Sequence, residues 1–341
     1  MAGAHAHPID GRGLTRAALL GASLAVLAVR RVLDDMARRE QERRRAFRLD
    51  DAESADDGLR RIARGQIDGA LDELGDRDGG DPSEAVHEAR KGFKRLRATV
   101  RLARDDLGDD VYRRENAAFR DVGRRLSGVR DAKVMVETLD ALAKRYADEL
   151  PARPFAGFRA ALVREQEAAH EELRRDEATL RDVRADLEDA RARVATWPLS
   201  DGAGHAILAP GFRRIYRRGR KEFRAAAADT NAESLHELRK RVKDLRYTGQ
   251  VVGPVAPKRV RKLAKRANTL ADVIGDDHDL AVLREAAAER AGTLEGDELE
   301  RLQELVDRRR ARLQRKALKG AKKLYAAKPR EIARLVEKAP V

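Results

Sequence analysis

A sixteen-residue segment, Val86 to Arg101 (VHEARKGFKRLRATVR), recurs as Leu235 to Gln250 (LHELRKRVKDLRYTGQ), and eight positions are identical. Such a repeat limits the fold, because two copies of one element call for two related environments. Two shorter matches support it: Leu59 to Ile62 (LRRI) echoes Phe212 to Ile215 (FRRI), and Ser127 to Val134 (SGVRDAKV) echoes Gly275 to Val282 (GDDHDLAV). The three offsets are 153, 149 and 148 residues, so the chain reads as an internal duplication. The expected boundaries are an N-terminal extension over 1–50, a first half over 51–195, a linker over 196–211, a second half over 212–328, and a tail over 329–341.

Apolar residues recur at helical period throughout. Leu59, Ile62, Ile67, Leu71 and Leu74 form one stripe. Asp81-Pro82-Ser83-Glu84 has the form of a helix start. Helices are expected to end near Leu107-Gly108, then to run over 111–126, 132–149, 158–194 (long, charged and open to a break), 298–325 and 330–337. The Gly- and Pro-rich segment 196–211 reads as the linker. The 4% aromatic content and the scarcity of β-branched runs agree with an all-α fold.

On a helical wheel, His87, Arg90, Lys91, Lys94, Arg97 and Arg101 share a sector of about 120°. His236, Arg239, Lys240, Lys243, Arg246 and Tyr247 do the same in the second copy. Another sector of each carries the apolar core positions, and the acids Glu88, Glu237 and Asp244 fall outside the cationic sector. Like charges three or four residues apart destabilise a helix by about 0.2–0.5 kcal/mol per pair, and a bound polyanion reverses that sign. The net charge of +14 despite 59 acids requires such basic patches. Arg217, Arg220 and Lys221, on the helix before the second copy, are expected to join the site. Lys258 to Arg266 and Arg308 to Lys323 are further basic stretches that an ordinary solvated surface also explains.

Metal and catalytic chemistry find little support. The chain has no cysteine, which removes thiolate ligands and nucleophiles and suits a reducing cytoplasm. The i+4 positions after His87 and His236 hold Lys91 and Lys240 instead of a second ligand. Arg130, Asp131 and Asp279 are supporting candidates: each Asp caps a helix, pairs with an Arg, or orients cations that meet the ligand. No catalytic residue, metal or cofactor is expected. One alternative is a nucleic-acid binder, against which the paucity of aromatic platforms counts. Another is a metal-dependent phosphohydrolase built on Asp276, Asp277, His278 and Asp279. The apolar run Ala17 to Val29 is too short to span a bilayer and reads as a packed or surface helix, with a signal or membrane anchor as the alternative. Membrane contact, if any, falls to this segment.

The duplicated HxxRKxxKxLR helix, each copy followed about 43 residues later by an (R/H)D-x-x-V turn (GVRDAKV in one half, GDDHDLAVL in the other), resembles the CHAD family (conserved histidine α-helical domain) over about residues 55–328. RRIYRRGRK before the second copy is similar to a recurrent stretch of that family. The resemblance implies two pseudo-symmetric antiparallel helical bundles with a central basic groove or channel. It further implies non-enzymatic binding of inorganic polyphosphate and association with polyphosphate granules. Carried over, the contacts are His87, Arg90, Lys91, Lys94 and Arg97 in the first copy. In the second they are His236, Arg239, Lys240, Lys243, Arg246 and Tyr247. The first copy departs from the second at Ala98, which stands where the second has Tyr247, and it carries Gly92 inside its helix.

Overall fold

The stripe Leu59, Ile62, Ile67 and Leu74 is buried on the first helix, α1 (Ala55–Gly75), as its spacing dictates. The computed structural model describes residues 46–75, 82–126 and 128–337. The N-terminal run Ala17 to Val29, Asp81 of the expected helix start, and Ser127 lie outside them. From Phe47 onward the chain forms one unit. The helices that follow are α2 (Pro82–Leu102), α3 (Asp109–Arg125), α4 (Gly128–Arg145), α5 (Ala156–Arg175) and α6 (Glu177–Ala195). Then come α7 (Ala209–Ala228), α8 (Ala232–Val251), α9 (Lys258–Glu289), α10 (Glu298–Leu324) and α11 (Pro329–Glu337). No strand occurs among the described residues, so the protein is all-α.

The local signals account for most boundaries. Pro82 opens α2, and Asn231 caps α8 by accepting from the Ser234 amide at 2.9 Å, while Ser234 answers with a reciprocal capping bond. The long charged stretch 158–194 breaks at Asp176, whose carboxylate accepts from the Thr179 amide and so starts α6. The first copy's helix stops at Leu102, and a single turn, Arg104–Leu107, reaches Gly108 in the left-handed region.

Two expectations are corrected. Gly275 to Val282 is no turn: it lies inside the 32-residue α9, because nothing in Gly-Asp-Asp-His-Asp interrupts a helix whose Val273, Ile274, Leu280 and Leu283 keep the core period. Segment 196–211 is tightly packed instead of a free spacer. Trp197, Leu199 and Leu208 are buried, the Ala55 amide donates to the Ala203 carbonyl at 2.8 Å, and Ser200 and Gly202 donate to Asp106 and Asp56. Ser, Gly and Pro composition reports turn geometry; it does not report burial.

The core is one continuous apolar cluster from Phe47 to Val336, shared by both halves. Within it α2 packs on α1 and α3, α8 packs between α7 and α9, and α2 touches α8. Close approaches fix these seats. At Gly211 a Cβ would stand 1.9 Å from the Leu102 carbonyl oxygen, so only glycine lets the start of α7 meet the end of α2. At Gly249 a Cβ would stand 2.7 Å from that of Ala264, which sets α8 against α9.

Candidate functional site

The two repeated helices bury their apolar faces, Val86, Ala89, Phe93, Leu96 and Val100 on α2 and Leu235, Leu238, Val242 and Leu245 on α8. This leaves their basic faces to meet. Between them and α3 lies a cavity of about 520 Å³. From α2 it is lined by Arg90, Lys94, Arg97 and Arg101, and from α8 by Arg239, Lys240, Arg241, Lys243 and Tyr247. From α3 come Arg120 and Arg124, two cations that the sequence reading did not assign. Asp244 is the one carboxylate among the lining residues. It accepts from Arg101 at 2.8 Å and from Arg241 at 2.9 Å, joining the two repeated helices across the floor.

Crowding of like charge leaves its mark on titration. Burial, then the fields of Arg239 and of Lys94 from the other helix, push the Lys243 ammonium down to about 7. Burial and Arg101 push Arg97 down to about 10, which leaves it cationic at neutral pH. His236 on α8 faces His278 on α9, with ring centroids 5.1 Å apart. Burial lowers both, and Arg239 helps bring His278 to about 4. Asp279 lies 3.8 Å from Arg239, at the edge of this cationic group. It acts as an internal partner for an Arg, and mid-helix it is no N-cap.

The other expected residues are distributed differently. His87 and Lys91 are half-buried on α2 and His236 and Arg246 on α8, and these four are not among the cavity's lining residues. Lys91 and Lys240 each bond the acid three residues before them, Glu88 at 2.9 Å and Glu237 at 2.5 Å. Acids off the cationic sector on a wheel are therefore still within reach of its margin, because a lysine stem spans the gap. Arg246 donates to Asp272 at 3.0 Å and sits over the Tyr247 ring, and Tyr247 in turn packs edge-on to Phe47. Arg217, Arg220 and Lys221 line a separate cavity with Arg218, Arg224 and Pro329. The side chains of Arg130 and Asp131 lie outside the described residues.

Asp276, Asp277, His278 and Asp279 point to four different partners. Asp276 faces Arg309 at 3.9 Å, and buried Asp277 accepts from Arg310 and Gln314 at 3.2 and 3.1 Å. His278 faces His236, and Asp279 faces Arg239. Successive residues on one helix turn by about 100°, which is why they do not converge. Among the described residues no group of three or more His, Asp or Glu side chains has the disposition to hold a metal ion. No helix among them is long and apolar enough to cross a membrane.

Comparison with known proteins agrees with this architecture. No curated protein matches the chain. The crystal structure of the CHAD domain from the plant Ricinus communis is similar in fold, with a TM-score of 0.52 at 19% sequence identity. That match covers 87% of this chain and 96% of the plant domain. The family model described as the CHAD domain matches residues 61–288, a span that begins in α1, ends in α9 and includes both repeated helices. The chain belongs to the CHAD domain family.

Proposed function

We propose that this chain binds inorganic polyphosphate without transforming it, holding the polyanion in the cavity between α2, α3 and α8. The observation that carries this reading is the convergence of Arg90, Lys94, Arg97, Arg120, Arg124, Arg239 and Lys243 on one space whose single lining carboxylate, Asp244, is already taken by Arg101 and Arg241. A chain of tetrahedral phosphates accepts charge-assisted hydrogen bonds from every side, and guanidinium forks supply them in pairs. Phe93, Phe119 and Tyr247 reach the cavity wall, but Phe93 and Phe119 are buried and Tyr247 is packed against Phe47 and Arg246, which leaves little ring surface for a base to stack on. That favours polyphosphate over single-stranded nucleic acid. The diverging partners of Asp276 to Asp279 support a binding role over hydrolysis. In a cytoplasm holding polyphosphate granules, such a protein would collect on them.

The deciding experiment is titration of polyphosphate against the wild type and Lys94→Glu/Lys243→Glu over a salt series. Wild-type affinity should fall steeply with salt through counterion release, and the double variant should bind weakly with a flatter slope. Equal affinity and slope in the two proteins would refute the site.

A further inference from the structure

A second charged surface lies on α10, and none of its exposed cations lines the cavity. Between Asp307 and Glu331 the sequence holds no acid. Over that stretch of α10, Arg312, Arg315, Lys316, Lys319, Lys322 and Lys323 are all exposed. None of the six forms an ion pair among the described residues. The first half of the same helix behaves otherwise: Arg301 pairs with Glu304 at 2.9 Å, and Arg308 reaches Glu149 at 2.6 Å. Lys316 acts through its field on the Asp276 carboxylate, which Arg309 faces at 3.9 Å.

Arg312, Lys316, Lys319 and Lys323 recur at i, i+4, i+7 and i+11. They therefore share a sector of about 60° and form a row about 16 Å long. Neighbours of like charge at this spacing weigh against the helix. The helix dipole rewards cations only in the last turn, which accounts for Lys322 and Lys323 but not for Arg312 to Lys319. The antiparallel register of α10 on α9 is set by Asp307 with Arg284, by Arg310 and Gln314 with Asp277, and by Gly320 against Leu270. It brings the start of α9, with exposed Lys262, Lys265 and Arg266, beside the end of the row. Val282 is the one exposed large hydrophobic side chain among the described residues, so the surface offers no apolar wedge for a bilayer. A straight line of lysine and arginine charges fits a linear polyanion.

We propose that the α10 row is a second docking surface for a phosphate polyanion, so that one molecule holds two strands and cross-links them. This rests on the reading of the cavity as a polyphosphate site. None of the six row residues lines that cavity, so the two surfaces are separable by mutation.

The test uses the full chain with long-chain polyphosphate, followed by light scattering, and with tripolyphosphate as a probe too short to bridge. Lys316→Glu/Lys319→Glu should keep wild-type helicity by circular dichroism and wild-type affinity for tripolyphosphate. Its scattering should begin only at about tenfold higher protein concentration, because avidity between strands is lost. Lys316→Arg/Lys319→Arg should scatter as the wild type does. Unchanged scattering by the Glu variant would overturn the proposal. So would loss of duplex DNA binding by that variant with polyphosphate scattering intact, which would make the row a nucleic-acid surface. Equal tripolyphosphate binding by the wild type and Lys94→Glu/Lys243→Glu would instead refute the cavity reading, and the row would then be decided by direct titration of long-chain polyphosphate, which Lys316→Glu/Lys319→Glu should bind more weakly than the wild type.

Discussion

Arg101 of α2 donates to Asp244 of α8 at 2.8 Å, and both side chains are largely withdrawn from solvent. The first repeated helix thus supplies the cation and the second the carboxylate for the tie that holds their basic faces together. Asp244 also holds Arg241, so one acid restrains two guanidinium groups at the cavity.

Asp244→Asn should therefore act in opposite directions on folding and on binding. Loss of a partly buried, charge-assisted tie should lower stability by about 1–3 kcal/mol in urea denaturation. Removal of the cavity's one negative charge should tighten polyphosphate binding in the same protein. A variant that lost both stability and affinity would show that Asp244 shapes the cavity more than it screens it.

The pH dependence follows from Lys243. In the free protein its ammonium titrates near 7, and a bound polyanion raises that value by favouring the charged form. The contribution of Lys243 to affinity is then complete below about pH 7. It is lost as pH rises through the higher pKa of the complex, and binding just above neutrality should take up protons. Calorimetry in two buffers of different ionisation enthalpy measures that uptake. Lys243→Arg should abolish it while keeping affinity.

Arg120 and Arg124 give a test that the repeat alone would not have suggested. Arg120→Ala/Arg124→Ala should weaken polyphosphate binding and shrink the salt slope by roughly one unit per cation removed. Arg217→Ala/Lys221→Ala, in the separate cavity on α7, should change binding of a short oligophosphate far less. Isothermal titration of both variants with tripolyphosphate makes the comparison.

Gly211→Ala should destabilise the protein by about 1–3 kcal/mol, because its Cβ would overlap the Leu102 carbonyl unless α7 shifts. A thermal melt reads this directly. A wild-type melting temperature would mean that α7 slides without penalty.

Much of this was legible beforehand, for reasons that differ from residue to residue. Helical period placed the buried faces of α2 and α8, since a 3.6-residue repeat is a property of one segment. The cations Lys94, Arg97, Arg239 and Lys243 followed from the same wheel. Arg120 and Arg124 were not legible, because only tertiary packing brings α3 beside α2. Neither was the separation of Arg217 and Lys221 from the cavity, which depends on which side of α7 meets α11. The Gly275 to Val282 stretch misled because Gly and Asp favour turns locally, whereas the apolar period of α9 continues through them.

The packed crossover 196–211 has a consequence for the chain's history and handling. Trp197 and Leu208 sit in the common core, and the backbone at Ala203 is bonded to the start of α1. Cleavage there would leave two fragments, each exposing half an interior. Neither would survive as a free-standing module, so a gene split at this point would encode an obligate pair.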